Sequence, residues 1–270
     1  MKIAINGELK AATTESMEEL PVAPGVFETM LVREGAPVFF DDHWARFCVG
    51  CRHFKFEPPI STDEAGALAT ALIQENIAGR TGVLRLAAWR NGSIVESRME
   101  VGGPRPHMSR PAFRAALGAR ALPPPDADRA CKHLRRTAWL EALRTARAGG
   151  WDEAILSDDQ GRVVEACVSN VFFVYDGCLH TPALEAGPLP GVMRARILSL
   201  ARNEGWTVRE GEYRLADLLA ASEVWLSNSL IGVRPLSALG ERQFDPNPPS
   251  LGKLRATWGE TFGWDPMVVA

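Results

Sequence analysis

Residues 102–111 read GGPRPHMSRP, two glycines and three prolines in ten positions. Proline lacks an amide donor and locks φ, while glycine adds backbone freedom. Neither a helix nor a central strand runs through such a stretch. The run predicts two domains: a small N-terminal α+β domain over 1–104, a linker over 105–111 and a larger domain over 112–270. A length of 270 residues suits that division. With 46% apolar and 23% charged residues, the chain can bury a sizeable core without disulfides.

Charge and cysteine usage narrow the partners. A formal charge of −3 and a pI near 6.0 give no basis for sequence-independent attraction to nucleic acid or anionic lipid. No apolar run approaches the ~18 residues of a membrane span, and the apolar part of residues 1–7 is too short for a signal peptide. A cytoplasmic protein with no nucleic-acid or membrane partner is expected. The five cysteines, Cys48, Cys51, Cys131, Cys167 and Cys178, are odd in number and scattered, which argues against a disulfide framework. Cys48 and Cys51 form a lone C-x-x-C in a helical pattern. No second pair or histidine cluster follows at zinc spacing, so they read as structural thiols and no metal is expected.

Residues 2–8 alternate around Asn6-Gly7, a hairpin signal. A strand is predicted over 25–32 (GVFETMLV), continuing briefly over 37–40, and Asp41-Asp42 offers an N-cap for a helix to about His53. Ser61, with Glu64 three residues on, forms a capping box for a helix over 61–77. Strands follow over 82–89 and 98–101. Beyond the linker the pattern predicts a strand over 113–122, a break at prolines 123–125 and a helix over 130–147. Strands over 152–157, 163–165, 170–174 and 178–181 are joined by turns at 158–161 and Asp176-Gly177. A helix over 191–204 precedes strands over 207–210 and 223–227, which flank a helix over 215–221.

Only five of the 30 basic residues are lysines, so a nucleophilic amine has few candidates. Lys2 and Lys10 belong to the N-terminal hairpin, Lys55 follows the first helix, and Lys253 lies in a polar, proline-rich tail. Each reads as a solvated surface charge. Lys132 is expected to open a helix beside Arg135 and Arg136. A positive field there would favour the neutral amine that a Schiff base needs; an exposed first-turn lysine is the plain alternative. Glu165 follows an apolar strand and precedes Ala166 and Cys167, so its carboxylate is expected half-buried and in need of a cationic partner. The loop GPLPG at 187–191 runs into a helix whose first amides, at Val192 and Met193, suit an anion such as phosphate.

In order and spacing these motifs resemble those of the fold type IV pyridoxal-phosphate enzymes, the class IV aminotransferase family. That family includes branched-chain and D-amino-acid aminotransferases and 4-amino-4-deoxychorismate lyase. The resemblance runs from about Gly25 to about Leu239. It rests on GVFETM at 25–30, H-x-x-R at His43 and Arg46, KHLRR at 132–136 and E-x-x-x-S-N from Glu165 to Asn170. It continues through Thr181-Pro182, LPGVMR at 189–194 and NSLIGVRP at 228–235. The resemblance implies an α+β, two-domain architecture: a smaller N-terminal α/β domain and a larger C-terminal domain on a mixed or antiparallel, barrel-like sheet. It implies pyridoxal 5′-phosphate as cofactor, with Lys132 as the Schiff-base lysine. Glu165 becomes the carboxylate facing the pyridine nitrogen, keeping it protonated so that the ring accepts electrons. Arg46 becomes the phosphate ligand, joined by the amides of Val192 and Met193 and by the hydroxyl and amide region of Ser229-Leu230. Asn170 either braces the strand carrying Glu165 or is purely structural. The family also implies a homodimer and a small amine or amino-acid substrate.

The chain departs from the family pattern in three places. Ala23-Pro24 stand where an acidic residue is usual, Thr137 where many transaminases have tyrosine, and Arg90-Asn91-Gly92 where Arg-Gly is usual. These bear on substrate more than on cofactor. Glu28-Thr29, KHLRR and NSLIGVRP look lyase-like. They imply conversion of 4-amino-4-deoxychorismate to 4-aminobenzoate and pyruvate, a step of folate biosynthesis. Lys132 would remove the proton from the amine-bearing carbon, and Thr29 is a candidate to protonate the leaving group. Arg90 and Arg105 are candidates for the substrate carboxylates. An aminotransferase acting on branched-chain or D-amino acids or amines would share every cofactor residue, and a non-catalytic cofactor-binding member remains a further alternative.

Overall fold

The computed structural model of the protein describes residues 1–13, 19–118, 121–124 and 126–267. Residues 119 and 120 of the expected strand over 113–122, and Pro125, lie outside the described residues. The chain divides into two compact units. Of the described residues, the first holds Met1–Met108 together with Cys131–Arg136, and the second holds Ser109–Ala130 and residues 137–267.

In the first unit, β1 (Lys2–Ile5), β2 (Glu8–Ala11), β3 (Gly25–Arg33), β4 (Ala36–Pro37), β5 (Gly82–Asn91) and β6 (Ile94–Gly102) form one sheet. Its order is β2-β1-β6-β5-β3-β4, antiparallel throughout. The β1–β2 turn is made at Asn6 (φ 50°) and Gly7 (φ 82°), the left-handed pair that a two-residue hairpin needs. Alternation then sorts the side chains of β3. Val26, Met30 and Val32 face α1 (Phe40–His53) and α2 (Thr62–Ile77), where they pack with Trp44, Phe47, Leu72, Ile73, Leu84 and Leu86. Phe27, Thr29 and Leu31 face the other way.

α2 begins as expected. Ser61 Oγ accepts from the Glu64 amide at 3.3 Å, and Glu64 accepts from the Ser61 amide at 2.7 Å. α1 does not. The residue before it is Phe39, left-handed at φ 55° with no side-chain cap, so the strand expected over 37–40 ends at Pro37. Asp41 and Asp42 sit inside the first turn, where their charges meet the exposed amides rather than capping them.

A larger correction concerns residues 131–136. The helix expected over 130–147 is α3 (Thr137–Ala148), and KHLRR precedes it in extended form. β4 covers β3 only at Val32 and Arg33, leaving the start of that strand with an open edge. The 131–136 segment closes it: Phe27 donates its amide to the Lys132 carbonyl at 2.9 Å, and Leu134 donates to the Gly25 carbonyl at 2.9 Å. Satisfying an otherwise open strand edge outweighs the helical propensity of a short, charged run.

The second unit is a curled mixed sheet. Its strands are β7 (Phe113–Leu117), β8 (Glu153–Ser157), β9 (Val163–Ala166), β10 (Asn170–Tyr175), β11 (Cys178–Pro182), β12 (Val208–Gly211), β13 (Glu223–Asn228) and β14 (Gly232–Leu239). They follow the order β12-β11-β10-β13-β14-β7-β8-β9, with β15 (Arg242–Gln243) beside β14. The pairs β11–β12, β14–β7 and β7–β8 are parallel. Phe113, Ile155, Val163, Phe173, Leu226 and Leu236, drawn from six of these strands, share one interior. The sheet therefore wraps into a half-barrel. Trp139 and Leu143 of α3 pack on its other face against Leu156 and Val164.

α4 (Val192–Asn203) and α5 (Leu215–Ala220) lie close to the expected bounds. The tail expected to be polar and proline-rich instead carries α6 (Pro249–Phe262), with Pro249 at its first position and Leu251, Leu254 and Trp258 buried; Lys253 lies on this helix. All five cysteines are free thiols. Among the described residues no group of side chains could hold a metal ion, and no helix is long and apolar enough to cross a membrane.

Candidate active site

Glu28 is the inward-facing exception on β3. Its side chain is 1% exposed, within the apolar layer under α1. A carboxylate there needs cations, and α1 supplies them from one face, three residues apart. Arg46 donates Nε to Oε1 at 2.8 Å and Nη2 to Oε2 at 2.7 Å, and His43 Nδ1 lies 2.6 Å from Oε2. Burial pushes the Glu28 carboxyl up. The Arg46 charge and hydrogen bonds, with His43 behind them, more than reverse this and hold it at about 2. Arg46 is thus aimed by a fixed, two-point contact.

The opposite face of the same sheet collects the other residues. The Lys132 Nζ lies 4.8 Å from the centre of the Phe27 ring, and the Arg85 guanidinium lies 5.4 Å from it. Thr29 shares this face and is paired across the strands with Arg85. Glu100, 3.8 Å from Arg85 and 3.5 Å from Arg98, ties the two arginines together. Burial lowers the Arg85 pKa. Lys132 precedes α3 by five residues instead of lying in its first turn as expected.

Of the two arginines singled out from sequence, only Arg105 is close enough to Arg85 for its charge to act on it. Arg90 points to the helix-bearing side of β5 and donates to the Lys55 carbonyl; Arg105 is exposed past the end of β6. Arg85 and Arg98 were missed. Their signal was available: in LRLAAW the arginine alternates with leucines, which places it on the face that the core does not use.

In the second unit Glu165 is 3% exposed at the end of β9. It accepts from Trp139 Nε1 at 2.7 Å and from the Leu189 amide at 2.9 Å. These two neutral donors each take one oxygen of the carboxylate. Asn170 braces the following loop rather than the Glu165 strand, donating Nδ2 to the Leu189 carbonyl at 2.8 Å. At Gly191 a β-carbon would stand 2.0 Å from Asn170 Oδ1, so only glycine lets the loop pass. Gly191 then starts α4 with no side-chain cap, and Val192 and Met193 are the first helical residues.

Ser229 and Leu230 form the turn between β13 and β14. Asn228 holds it: its Oδ1 accepts from the Leu230 amide at 2.8 Å and the Ile231 amide at 3.0 Å. The Leu230 amide, expected from sequence to face a phosphate, is engaged within the turn.

Each unit by itself carries groups of the kinds that pyridoxal 5′-phosphate calls for. In the first unit, Lys132 offers an amine on an aromatic face, as an aldehyde requires, and Arg46 a guanidinium, as a phosphate requires. In the second, Glu165 is a carboxylate fixed by two donors, as a pyridine N–H requires, and the start of α4 has uncapped amides of the kind that bind phosphate.

Comparison with known proteins agrees. Residues 25–239 match the amino-transferase class IV family. An aminodeoxychorismate lyase of Vibrio harveyi is 34% identical over 123 residues, 46% of this chain and only 45% of that protein. An aminodeoxychorismate lyase of Bacillus subtilis is 28% identical over 80% of this chain and 78% of its own. A putative branched-chain-amino-acid aminotransferase of Methanocaldococcus jannaschii is 27% identical over 97% and 95%. In structure, the chain is similar to a branched-chain aminotransferase from Thermoproteus uzoniensis (TM-score 0.85, 21% identity, 97% and 95% covered). It is also similar to a hypothetical aminotransferase from Mycobacterium tuberculosis solved with pyridoxal phosphate (TM-score 0.81, 21% identity, 97% and 99% covered). The half-barrel with its smaller antiparallel partner unit is thus the fold type IV architecture, and the chain belongs to the class IV aminotransferases, enzymes that depend on pyridoxal 5′-phosphate.

Proposed function

We propose that this enzyme is a lyase that converts 4-amino-4-deoxychorismate to 4-aminobenzoate and pyruvate. The observation that carries the reading is the grouping on one sheet face of Lys132, Thr29 and the arginines Arg85 and Arg98. A substrate with two carboxylates finds two guanidiniums there, beside an amine and a hydroxyl able to move protons.

When bound, the cofactor supplies an aldehyde carbon for the substrate amine and a ring that accepts an electron pair. Arg46, aimed by Glu28, would be one phosphate ligand, and in the second unit the first amides of α4 and the turn at Ser229 would be others. Glu165 keeps a proton on the ring nitrogen. Lys132 removes the proton from the amine-bearing carbon of the substrate. Thr29 gives a proton to the enolpyruvyl oxygen as its bond to the carbocycle breaks, and the ring that remains becomes aromatic. Arg85 and Arg98 orient the carboxylates throughout, and the enzyme is a homodimer.

One observation favours a second reading. The aminotransferase relative of Methanocaldococcus jannaschii aligns over nearly the whole chain. An aminotransferase would use the same Lys132, Glu165 and Arg46, with Lys132 returning its proton to the cofactor. The test supplies 4-amino-4-deoxychorismate and follows 4-aminobenzoate, then supplies amino acids with a keto acid and follows amino transfer. Production of 4-aminobenzoate is expected. Amino transfer without it would overturn the lyase reading.

A further inference from the structure

Glu153, the first residue of β8, is a buried carboxyl that the reaction does not use, 2% exposed. Its Oε1 accepts from the Ser169 hydroxyl at 2.5 Å and its Oε2 from the Val168 amide at 3.0 Å. Ser169 Oγ in turn accepts from Asn228 Nδ2 at 3.0 Å, and Asn228 also donates to the Val168 carbonyl. The far end of the Asn228 amide, Oδ1, accepts the Leu230 and Ile231 amides. The contacts form one directed chain. A hydroxyl has a single proton, and Ser169 spends it on Glu153, so it can only accept from Asn228. That fixes which end of the Asn228 amide is oxygen, and the oxygen holds the turn. Burial pushes the Glu153 carboxyl up to about 7; Glu165 adds to the effect, while the Ser169 and Val168 hydrogen bonds and Arg147 oppose it.

We propose that Glu153 is a positioning residue for the phosphate-binding turn 228–231, acting through Ser169 and Asn228. The inference rests on the reading that the turn at Ser229 helps hold the cofactor phosphate. An amide at position 153 cannot accept on both sides. In one orientation the Ser169 proton then faces a donor and loses its place; in the other the Val168 amide does, and the 168–169 segment that Asn228 donates to is disturbed; either way Asn228 loses part of what orients it.

The test compares dissociation constants of pyridoxal 5′-phosphate and of pyridoxal, which lacks the phosphate, for the full chain freed of cofactor. The variants are Glu153→Gln, Ser169→Ala and Ser229→Ala. Glu153→Gln and Ser169→Ala are each expected to weaken pyridoxal phosphate about tenfold and to leave pyridoxal unchanged. Combining them is expected to add little. A general loss of fold would weaken both ligands alike, and that outcome overturns the proposal. Ser169→Ala leaves the carboxyl in place and keeps the question open to measurement should Glu153→Gln fail to fold. If Ser229→Ala changes the ratio of the two constants but the other variants do not, the relay is wrong and the site reading stands. If Ser229→Ala leaves the ratio unchanged, the site reading itself has failed and the relay falls with it.

Discussion

A carboxylate sealed under a helix is tolerated only when something answers its charge, and at Glu28 the answer is Arg46 and His43. Breaking such a pair costs more than the pair itself contributes, because a largely covered guanidinium is left beside an amide. Glu28→Gln is therefore expected to lower stability by about 3–5 kcal/mol, measured by urea unfolding, and to weaken pyridoxal phosphate binding, since Arg46 loses the contact that aims it. This pairing could have been read from the sequence. Position 28 falls on the same side of the strand as Val26 and Met30, and H-x-x-R puts two cationic side chains on one face of the next helix. The expectation for Lys132 came from the family resemblance, and its setting was not legible, because a lysine against an aromatic face depends on a strand edge a hundred residues away. Borohydride reduction of the holoenzyme followed by peptide mapping is expected to place the label at Lys132. Lys132→Ala is expected to show no fixed label and no turnover.

Elements were readable where a local chemical rule set their ends. Ser61 with Glu64 marked the start of α2, and Ser61→Ala is expected to cost about 1 kcal/mol. Asn6-Gly7 and Asp176-Gly177 marked hairpins because their left-handed dihedrals have few other solutions. Where tertiary pairing decided the outcome, propensity misled. KHLRR looks like the first turn of a helix, yet it bridges to the open edge of β3 instead. The start of α4 is also set by packing, through the Asn170 side chain pressed on Gly191. Gly191→Ala is expected to destabilise the protein by about 1–3 kcal/mol. Asn170→Ala in the same chain should recover part of that loss by vacating the space, so thermal unfolding of the two single variants and the double variant should show a favourable coupling. Simple additivity would mean that the loop moves aside without cost.

At the scale of the whole molecule, the glycine–proline run lies where the chain first leaves one compact unit for the other, but it gives no sign that Cys131–Arg136 return to the first, and strand order follows neither from that run nor from alternation. The parallel neighbours β14, β7 and β8 come from distant parts of the chain, and periodicity says which residues face inward without saying what they meet. Two buried carboxyls, one in each unit, carry opposite pH signatures. In the first, Glu28 is held at about 2, below its ordinary value of 4.5, so the folded state binds fewer protons than the unfolded one between those limits. Its stabilisation is complete above about pH 4.5 and is lost as pH falls toward 2, on the order of 3 kcal/mol for a shift of this size. In the second, Glu153 is raised to about 7, with Glu165 and Arg147 the charged groups that act on it. There the folded state binds more protons than the unfolded one between about 4.5 and 7, and stability falls as pH rises through that window, by a similar amount. Urea unfolding of the wild type at pH 5 and pH 8 is expected to show a loss at the higher pH that Glu153→Gln largely removes, because an amide does not titrate. Glu28→Gln should leave that loss intact and flatten the response below pH 4 instead. If both variants kept the wild-type slope between pH 5 and 8, the titration of Glu153 would not be its source.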